Sequence, residues 1–401
     1  MIIFDETRDL LKKIKIALIW KVLAACVLGA LLGHCLPVPV IRVFTTFNYI
    51  FSQYIGFMIP LIIVGLVTPA ICKMGNGAGK LLLFTIALAY FSSVVAGIFS
   101  YGVSVSLFPS LLDGMQMSVA KAGDDNLAPY FILDIPPFIS VTSALVFSFL
   151  AGTLLTTTGK GYFKNVALDF EEIVTKAISK TLIPLLPIYI FGIFLKMSYS
   201  GEMAPIMKVF AAVIVAIFAM SMVWLVILFC VSGIVSRKNP IKSLVSMLPA
   251  YLTGLGTSSS AATIPVTLAC AQKCGASEPV SKFTVPLCAN IHMPGSMIKL
   301  TACVITIMLL QGMPFTFGFI LRFILMLAII AVAAPGVPGG VVMASMGILS
   351  SVLGFDTDSQ ALIVALYIVM DSFGTACNVT ADGAIALIVD KFSKKLHAVD
   401  A

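Results

Sequence analysis

Charge is scarce in this chain. Only 11% of its 401 residues are charged, whereas 60% are hydrophobic. A soluble domain is about a quarter charged and about half apolar. The shortage excludes a single soluble core, because soluble chains of this length already divide into smaller domains. Other features are missing too. The nine cysteines are scattered, mostly within apolar stretches (Cys26, Cys230, Cys303, Cys377). Apart from the loose pair Cys270 and Cys274, none has metal-ligand spacing, so they read as small apolar residues without a disulfide framework. The basic-then-apolar N-terminus has no clear small-residue cleavage site, which predicts an uncleaved first helix. No low-complexity linker divides the chain. The short alternating segments of a membrane β-barrel are absent as well.

What fills the sequence instead is a series of long apolar blocks, clearest at 16–32, 43–71, 81–107, 141–155 and 209–235. Most approach the roughly 20 residues that a helix needs to cross a hydrocarbon core. Backbone in lipid must satisfy its own hydrogen bonds, so the blocks are expected to be helices. The net charge of +7 would raise the question of nucleic acid in a soluble protein. Here its placement answers differently. Arg8, Lys12, Lys13 and Lys15 precede the first block, and Lys73 and Lys80 lie between the second and third. Lys160 and Lys164, then Arg237, Lys238 and Lys242, then Lys391, Lys394 and Lys395 follow later blocks. The alternate loops, with Asp113, Lys121, Asp124, Asp125 and Glu202, are less basic. This is the positive-inside pattern, predicting a multi-pass protein of the cell inner (plasma) membrane with both termini cytoplasmic and no nucleic-acid partner. The Asn378-Val379-Thr380 glycosylation pattern lies in a membrane segment and is read as a chance match.

Residues 1–240 read as six spans, several broken by proline at Pro60, Pro136–Pro137 and Pro184–Pro187. The longest polar stretch is 110–130. Residues 241–401 are organised differently. One apolar block is interrupted by Thr257-Ser258-Ser259-Ser260 and another by Pro335-Gly336-Val337-Pro338-Gly339-Gly340. Each precedes an apolar segment with polar residues at its middle: 285–310 with Asn290, His292, Pro294 and Ser296, then 360–389 with Asp371, Asn378 and Asp382. Paired interrupted segments in corresponding positions point to a transporter binding site, because irregular backbone in a membrane is tolerated only against protein or a watery cavity.

Asp371, Thr375, Asn378 and Asp382 fall at i, i+4, i+7 and i+11, on one face of a helix and over roughly 16 Å of its length. A carboxylate near mid-membrane costs at least about 2.5 kcal/mol, so two on one face require compensating cations or ammonium groups. Lys299 is the available in-membrane cation and neutralises at most one of them. The Ser258–Ser260 cluster suits either a helix cap or a carboxylate site formed by hydroxyls and amide N–H groups. A catalytic serine would need a positioned base. His292 is the only clearly membrane-embedded histidine and no nucleophile elbow is present, so an enzyme is not expected. The Gly–Pro run suits a flexible gate whose carbonyls coordinate a cation.

Three segments carry a resemblance to a known family. Ser258-Ser259-Ser260-Ala261-Ala262-Thr263-Ile264-Pro265, Gly336-Val337-Pro338-Gly339 and Asn378-Val379-Thr380-Ala381-Asp382 resemble, in order and spacing, the first hairpin tip, second hairpin tip and last-helix motif of the dicarboxylate/amino acid:cation symporters, the glutamate-transporter family. The resemblance implies an all-α fold of eight transmembrane helices and two re-entrant hairpins with inverted repeats, assembled as a homotrimer. Helices one, two, four and five would form a scaffold, and the rest a transport domain moving like an elevator. Hairpin 1 would cover about 241–272, helix 7 about 278–312, hairpin 2 about 317–353 and helix 8 about 357–391. Carried over by motif, Asp371 would hold a substrate amino group. Asn378 would hold its carboxylate with Ser258, Ser259 and Ser260, and Gly336, Val337, Pro338, Gly339, Gly374 and Thr375 would line the same site. His292, Met293, Asn378 and Asp382 fall at a sodium site.

The sequence also departs from that family. Acidic-substrate members carry an arginine three residues after the amino-binding acid or at the first hairpin tip. Here those positions are Gly374 and Ser258, so an acidic side chain would be left as an unpaired charge. A small neutral amino acid, such as serine, threonine or alanine, is therefore the expected substrate, with Gly374 leaving room for something larger. The seventh-helix motif reads His292-Met293-Pro294-Gly295-Ser296, with proline in place of a sodium-binding aspartate and Lys299 three residues past the motif. One sodium site is expected to be lost, with Lys299 or a protonated His292 as the coupling candidate. Lys299 alternatively snorkels, or pairs with Asp371 or a substrate carboxylate. Sodium is the expected co-transported ion, a proton the other candidate, and no organic cofactor is expected. The competing readings are an acidic amino acid or C4-dicarboxylate symporter in which Lys299 replaces the arginine, and an obligate exchanger.

Overall fold

The computed structural model describes residues 21–22, 24–74, 80–112, 127–157, 161–201, 203–334 and 339–399. Every regular element among them is helical. The first half contains α1 (24–32), α2 (Val38–Met74), α3 (Lys80–Leu111), α4 (Val141–Thr157), α5 (Tyr162–Ala177), α6 (Ile183–Tyr199) and α7 (Met203–Ser236). The second half is cut into shorter pieces: α8 (Pro240–Ser246), α9 (Leu248–Thr257), α10 (Ser260–Lys273), α11 (Glu278–Ile291), α12 (Pro294–Leu310), α13 (Phe317–Ala333), α14 (Gly340–Ser351), α15 (Thr357–Val369) and α16 (Asp371–Val399). By length and composition, six helical runs among the described residues are long and apolar enough to cross a membrane. Most of the basic residues at the N-terminus, the 113–126 loop, and Gly336, Val337 and Pro338 lie outside the described residues.

Proline does not end the helices of the first half, contrary to the sequence reading. Pro60 and Pro69 lie inside α2, and Pro187 lies inside α6. In lipid there is no water to take over a broken ladder, so the helix continues and the freed groups are re-satisfied locally. Just before Pro184 a π-turn, Ile178–Leu182, joins α5 to α6, and within it the Thr181 hydroxyl donates to Ala177 O at 2.6 Å. Pro136 and Pro137 do sit in irregular chain.

The helices pack in two sets. α2, α4, α5 and α6 pack mainly on one another, whereas α3, α7 and α9–α11 pack on α12 and α16. The second set buries its polar helices. In the apolar window of the run containing α12, 89% is buried, and the same is true of α16, against 39% for α3 and 41% for α2. Large apolar side chains such as Leu83, Phe91, Phe147, Leu154, Ile173 and Val215 are exposed on α3, α4, α5 and α7. Helices apolar on their outer faces are suited to lipid, and the buried pair forms the interior against which the site is built. Close approach is made possible by small residues. A Cβ at Gly254 would lie 2.8 Å from Val379 Cγ2, so α9 lies directly against α16.

Candidate functional site

Four helix breaks meet α16. The first lies between α9 and α10. Ser258 ends α9 in the left-handed region at φ +48° and its hydroxyl is 2.6 Å from that of Ser372. The Thr263 hydroxyl donates to Ser259 O at 2.7 Å, closing the turn. The break brings Ser258 to the start of α16 just ahead of the N-terminus of α10, and a helix N-terminus is suited to an anion. The second lies between α13 and α14, where Gly339 at φ +70° points its N–H at Asp371 Oδ2, 3.4 Å away. Glycine is required there, because side chains are strained in that region.

The third break divides the expected seventh helix. Proline lacks an N–H and pushes the preceding residue out of the helical region, so Pro294 starts α12 and leaves His292 and Met293 non-helical. The Met293 N–H is taken by the Ser93 hydroxyl at 3.2 Å. The fourth break, a turn at Met370, separates α15 from α16 and places Asp371 in the first helical turn. The positive end of the helix dipole stabilises a carboxylate in that position. These two interruptions fall inside the segments expected as helix 7, about 278–312, and helix 8, about 357–391.

The two buried acids have different partners. Lys299, 1% exposed, holds its ammonium 3.3 Å from Asp371 Oδ1 and 3.7 Å from the centroid of the Tyr367 ring. The ring adds cation–π attraction and is itself anchored, its hydroxyl donating to Ser296 Oγ at 3.0 Å. A Cβ at position 374 would lie 2.4 Å from Lys299 Cε. The room beside Gly374 is therefore filled by Lys299 and is not open to a larger ligand on that side. Asp382 is fully buried, and its Oδ1 lies 2.9 Å from His292 Nδ1. His292 Nε2 lies 3.0 Å from Ser92 Oγ, so both ring nitrogens are engaged. The backbone carbonyl is the group His292 has left to offer a cation. Asp382 Oδ2 has no hydrogen-bond partner among the described residues, which leaves one carboxylate oxygen open to a cation.

Asn378 bridges the halves of the site. Its Oδ1 accepts from the Gly295 N–H at 2.8 Å, and its Nδ2 donates toward Met293 Sδ at 3.4 Å. One Nδ2 hydrogen remains for a ligand. Thr375 is buried one turn beyond Asp371. Among the described residues no three His, Cys, Asp or Glu side chains cluster for a metal. A cation at Asp382 would thus draw on one carboxylate with hydroxyl, carbonyl or thioether groups. Tyr367, Ser372, Ser92 and Ser93 were not singled out in the sequence. Ser92 and Ser93 come from α3 and Tyr367 from α15, while Ser372, next to Asp371 on α16, is marked only by its contact with Ser258.

A sequence model of the sodium:dicarboxylate symporter family matches residues 18–392. The chain is 25% identical over 399 residues to a serine/threonine transporter, SstT, of Acinetobacter baylyi, covering 95% of this chain and 98% of that protein. It is 27% identical over 265 residues to an excitatory amino acid transporter of Caenorhabditis elegans, covering 64% of this chain and 52% of the relative. It is also 35% identical over 173 residues to mouse excitatory amino acid transporter 3, covering 43% of this chain and 33% of the relative. The aligned part thus spans about half of the nematode relative and a third of the mouse one. With interrupted helices meeting a buried polar helix, and relatives that are transporters and not enzymes, a family match over nearly its whole length shows that the chain belongs to the sodium:dicarboxylate symporter family.

Proposed function

We propose that the protein is a secondary active transporter that carries a small neutral amino acid, such as serine, threonine or alanine, together with a cation, sodium being the first candidate. The observation that carries the substrate class is the absence, among the described residues of the site, of a free cation for a second carboxylate. Position 374 is glycine and position 258 is a serine paired with Ser372, while Lys299 is already committed to Asp371. A buried side-chain carboxylate would remain unpaired, which is unfavourable. The full-length similarity to a serine/threonine transporter supports the same reading.

In this reading the Asp371 carboxylate receives the substrate ammonium on Oδ2, where Gly339 N–H now points, and Asn378 Nδ2 with the Ser258–Ser260 turn receives its carboxylate. Thr375 lines the space between them. The open oxygen of Asp382 receives the cation, assisted by Met293 and Asn378. Coupling arises when the segment before α14 closes over substrate and cation together, so that each binds tightly only in the presence of the other. The elevator movement and the homotrimer implied by the family resemblance belong to this proposal. They are supported by the division of the helices into two packing sets and by the apolar outer faces.

Uptake of labelled serine by the purified protein in vesicles, with and without an inward sodium gradient, tests the reading. Competition should come from threonine and alanine and not from aspartate or succinate. Strong competition by succinate or aspartate would transfer the site to the acidic class, with Lys299 as the carboxylate partner.

A further inference from the structure

The berth of Lys299 is built from four sides. The chain comes from α12, Gly374 of α16 removes the side chain that would displace it, Tyr367 of α15 lies under the ammonium, and Asp371 faces it. The ammonium reaches Oδ1 from the protein interior, while Oδ2 faces the segment leading into α14. The two oxygens thus face different partners, one fixed and one exchangeable. A zwitterionic substrate entering from the α14 side meets Oδ2 without requiring Lys299 to leave.

A transporter that carries net flux must return across the membrane without substrate. With its substrate gone, a lone Asp371 would make that return as an unpaired buried carboxylate, the most expensive group to move through a low-dielectric barrier. We infer that Lys299 is a resident counter-ion that keeps Asp371 neutralised in the empty carrier, so that the protein returns unloaded and supports net uptake in addition to exchange. Lys299 acts through Asp371 as a positioning and charge-balancing residue, and does not itself touch the substrate. A neutral zwitterion adds no net charge to the pair, so loaded and empty carriers present the same charge at this position. The inference rests on the transport reading above and decides between net symport and obligate exchange, which the sequence leaves open.

The test compares, for one tracer, net uptake into substrate-free vesicles with exchange into vesicles preloaded with the same substrate, the internal sodium being the same in both. Labelled serine is the tracer. Should the wild type take up aspartate and no serine or threonine, the substrate reading fails and the same ratio is read with aspartate. The wild type is expected to show net uptake within about threefold of exchange. Lys299→Met should lower the ratio of net uptake to exchange at least tenfold, because the loaded carrier pairs Asp371 with the substrate ammonium and the empty one does not. Gly374→Ala provides a second variant that retains the lysine and pushes it away from Asp371, and should shift the ratio in the same direction. A wild type that only exchanges, or variants that keep the wild-type ratio while transporting, would overturn the inference. A merely structural lysine would lower both activities together and leave the ratio unchanged.

Discussion

Two buried carboxylates on one face of α16 are held by bases of different kinds, and the difference sets what each residue does. Asp371 has a fixed ammonium and a backbone N–H. Asp382 has an imidazole on one oxygen and none of the described residues on the other. Removing His292 would leave Asp382 wholly unpartnered in a dry interior. His292→Ala is therefore expected to lower stability by about 1–3 kcal/mol, read as an earlier thermal transition in detergent. Sodium should restore more of that loss than choline does, because a cation at the open oxygen substitutes for the missing donor. Equal recovery in the two salts would place the cation elsewhere. Asp371→Asn should abolish stabilisation by serine while leaving any stabilisation by sodium alone. Loss of both would mean that the two sites are one. The i, i+4, i+7, i+11 spacing made the polar face of α16 legible in the sequence. The partners were not legible in the same way, since Lys299 and His292 reach α16 through tertiary packing that no spacing encodes.

At the scale of elements, a helical membrane protein could be read directly from long apolar blocks, because lipid permits few other arrangements. Helix ends were less legible. Proline was read as a stop in the first half, where α2 and α6 run through it, and as one substitution within a helix at Pro294, where the helix stops. The difference lies in what surrounds the freed groups. A π-turn precedes α6, whereas at Met293 the Ser93 hydroxyl takes the backbone N–H outside any helix. Close packing of α9 on α16 depends on Gly254, whose missing side chain admits Val379 and the Ala376 backbone. Gly254→Ala should overpack this contact and cost about 1–3 kcal/mol in thermal unfolding, with weaker serine binding because the Ser258 turn moves with α9. An unchanged transition would mean that the two helices separate easily.

For the whole molecule, the proposed alternation between outward and inward states requires the two helix sets to slide. The first set also touches α15, which packs on α12 and α14, through an ion pair at 2.6 Å between Lys196 of α6 and Asp358 and a hydroxyl contact at 3.2 Å between Ser52 and Thr357. Both partners of the ion pair are partly exposed, so it contributes about 0.2–1 kcal/mol. Lys196→Gln should raise turnover by up to about fivefold with little change in substrate affinity, if breaking the pair limits the rate. A loss of affinity with no change in turnover would assign it to the binding site instead. The substrate class is the claim on which the rest depends, and thermal stabilisation of the purified protein reaches it most directly. Ligand that binds only the native state raises stability by mass action, about 2.7 kcal/mol at a hundredfold excess over Kd. Serine, threonine, alanine, aspartate and succinate would each be added in sodium and in choline. Stabilisation by the neutral amino acids in sodium and not in choline is the predicted result. Stabilisation by aspartate or succinate alone, or by serine equally in both salts, would contradict it.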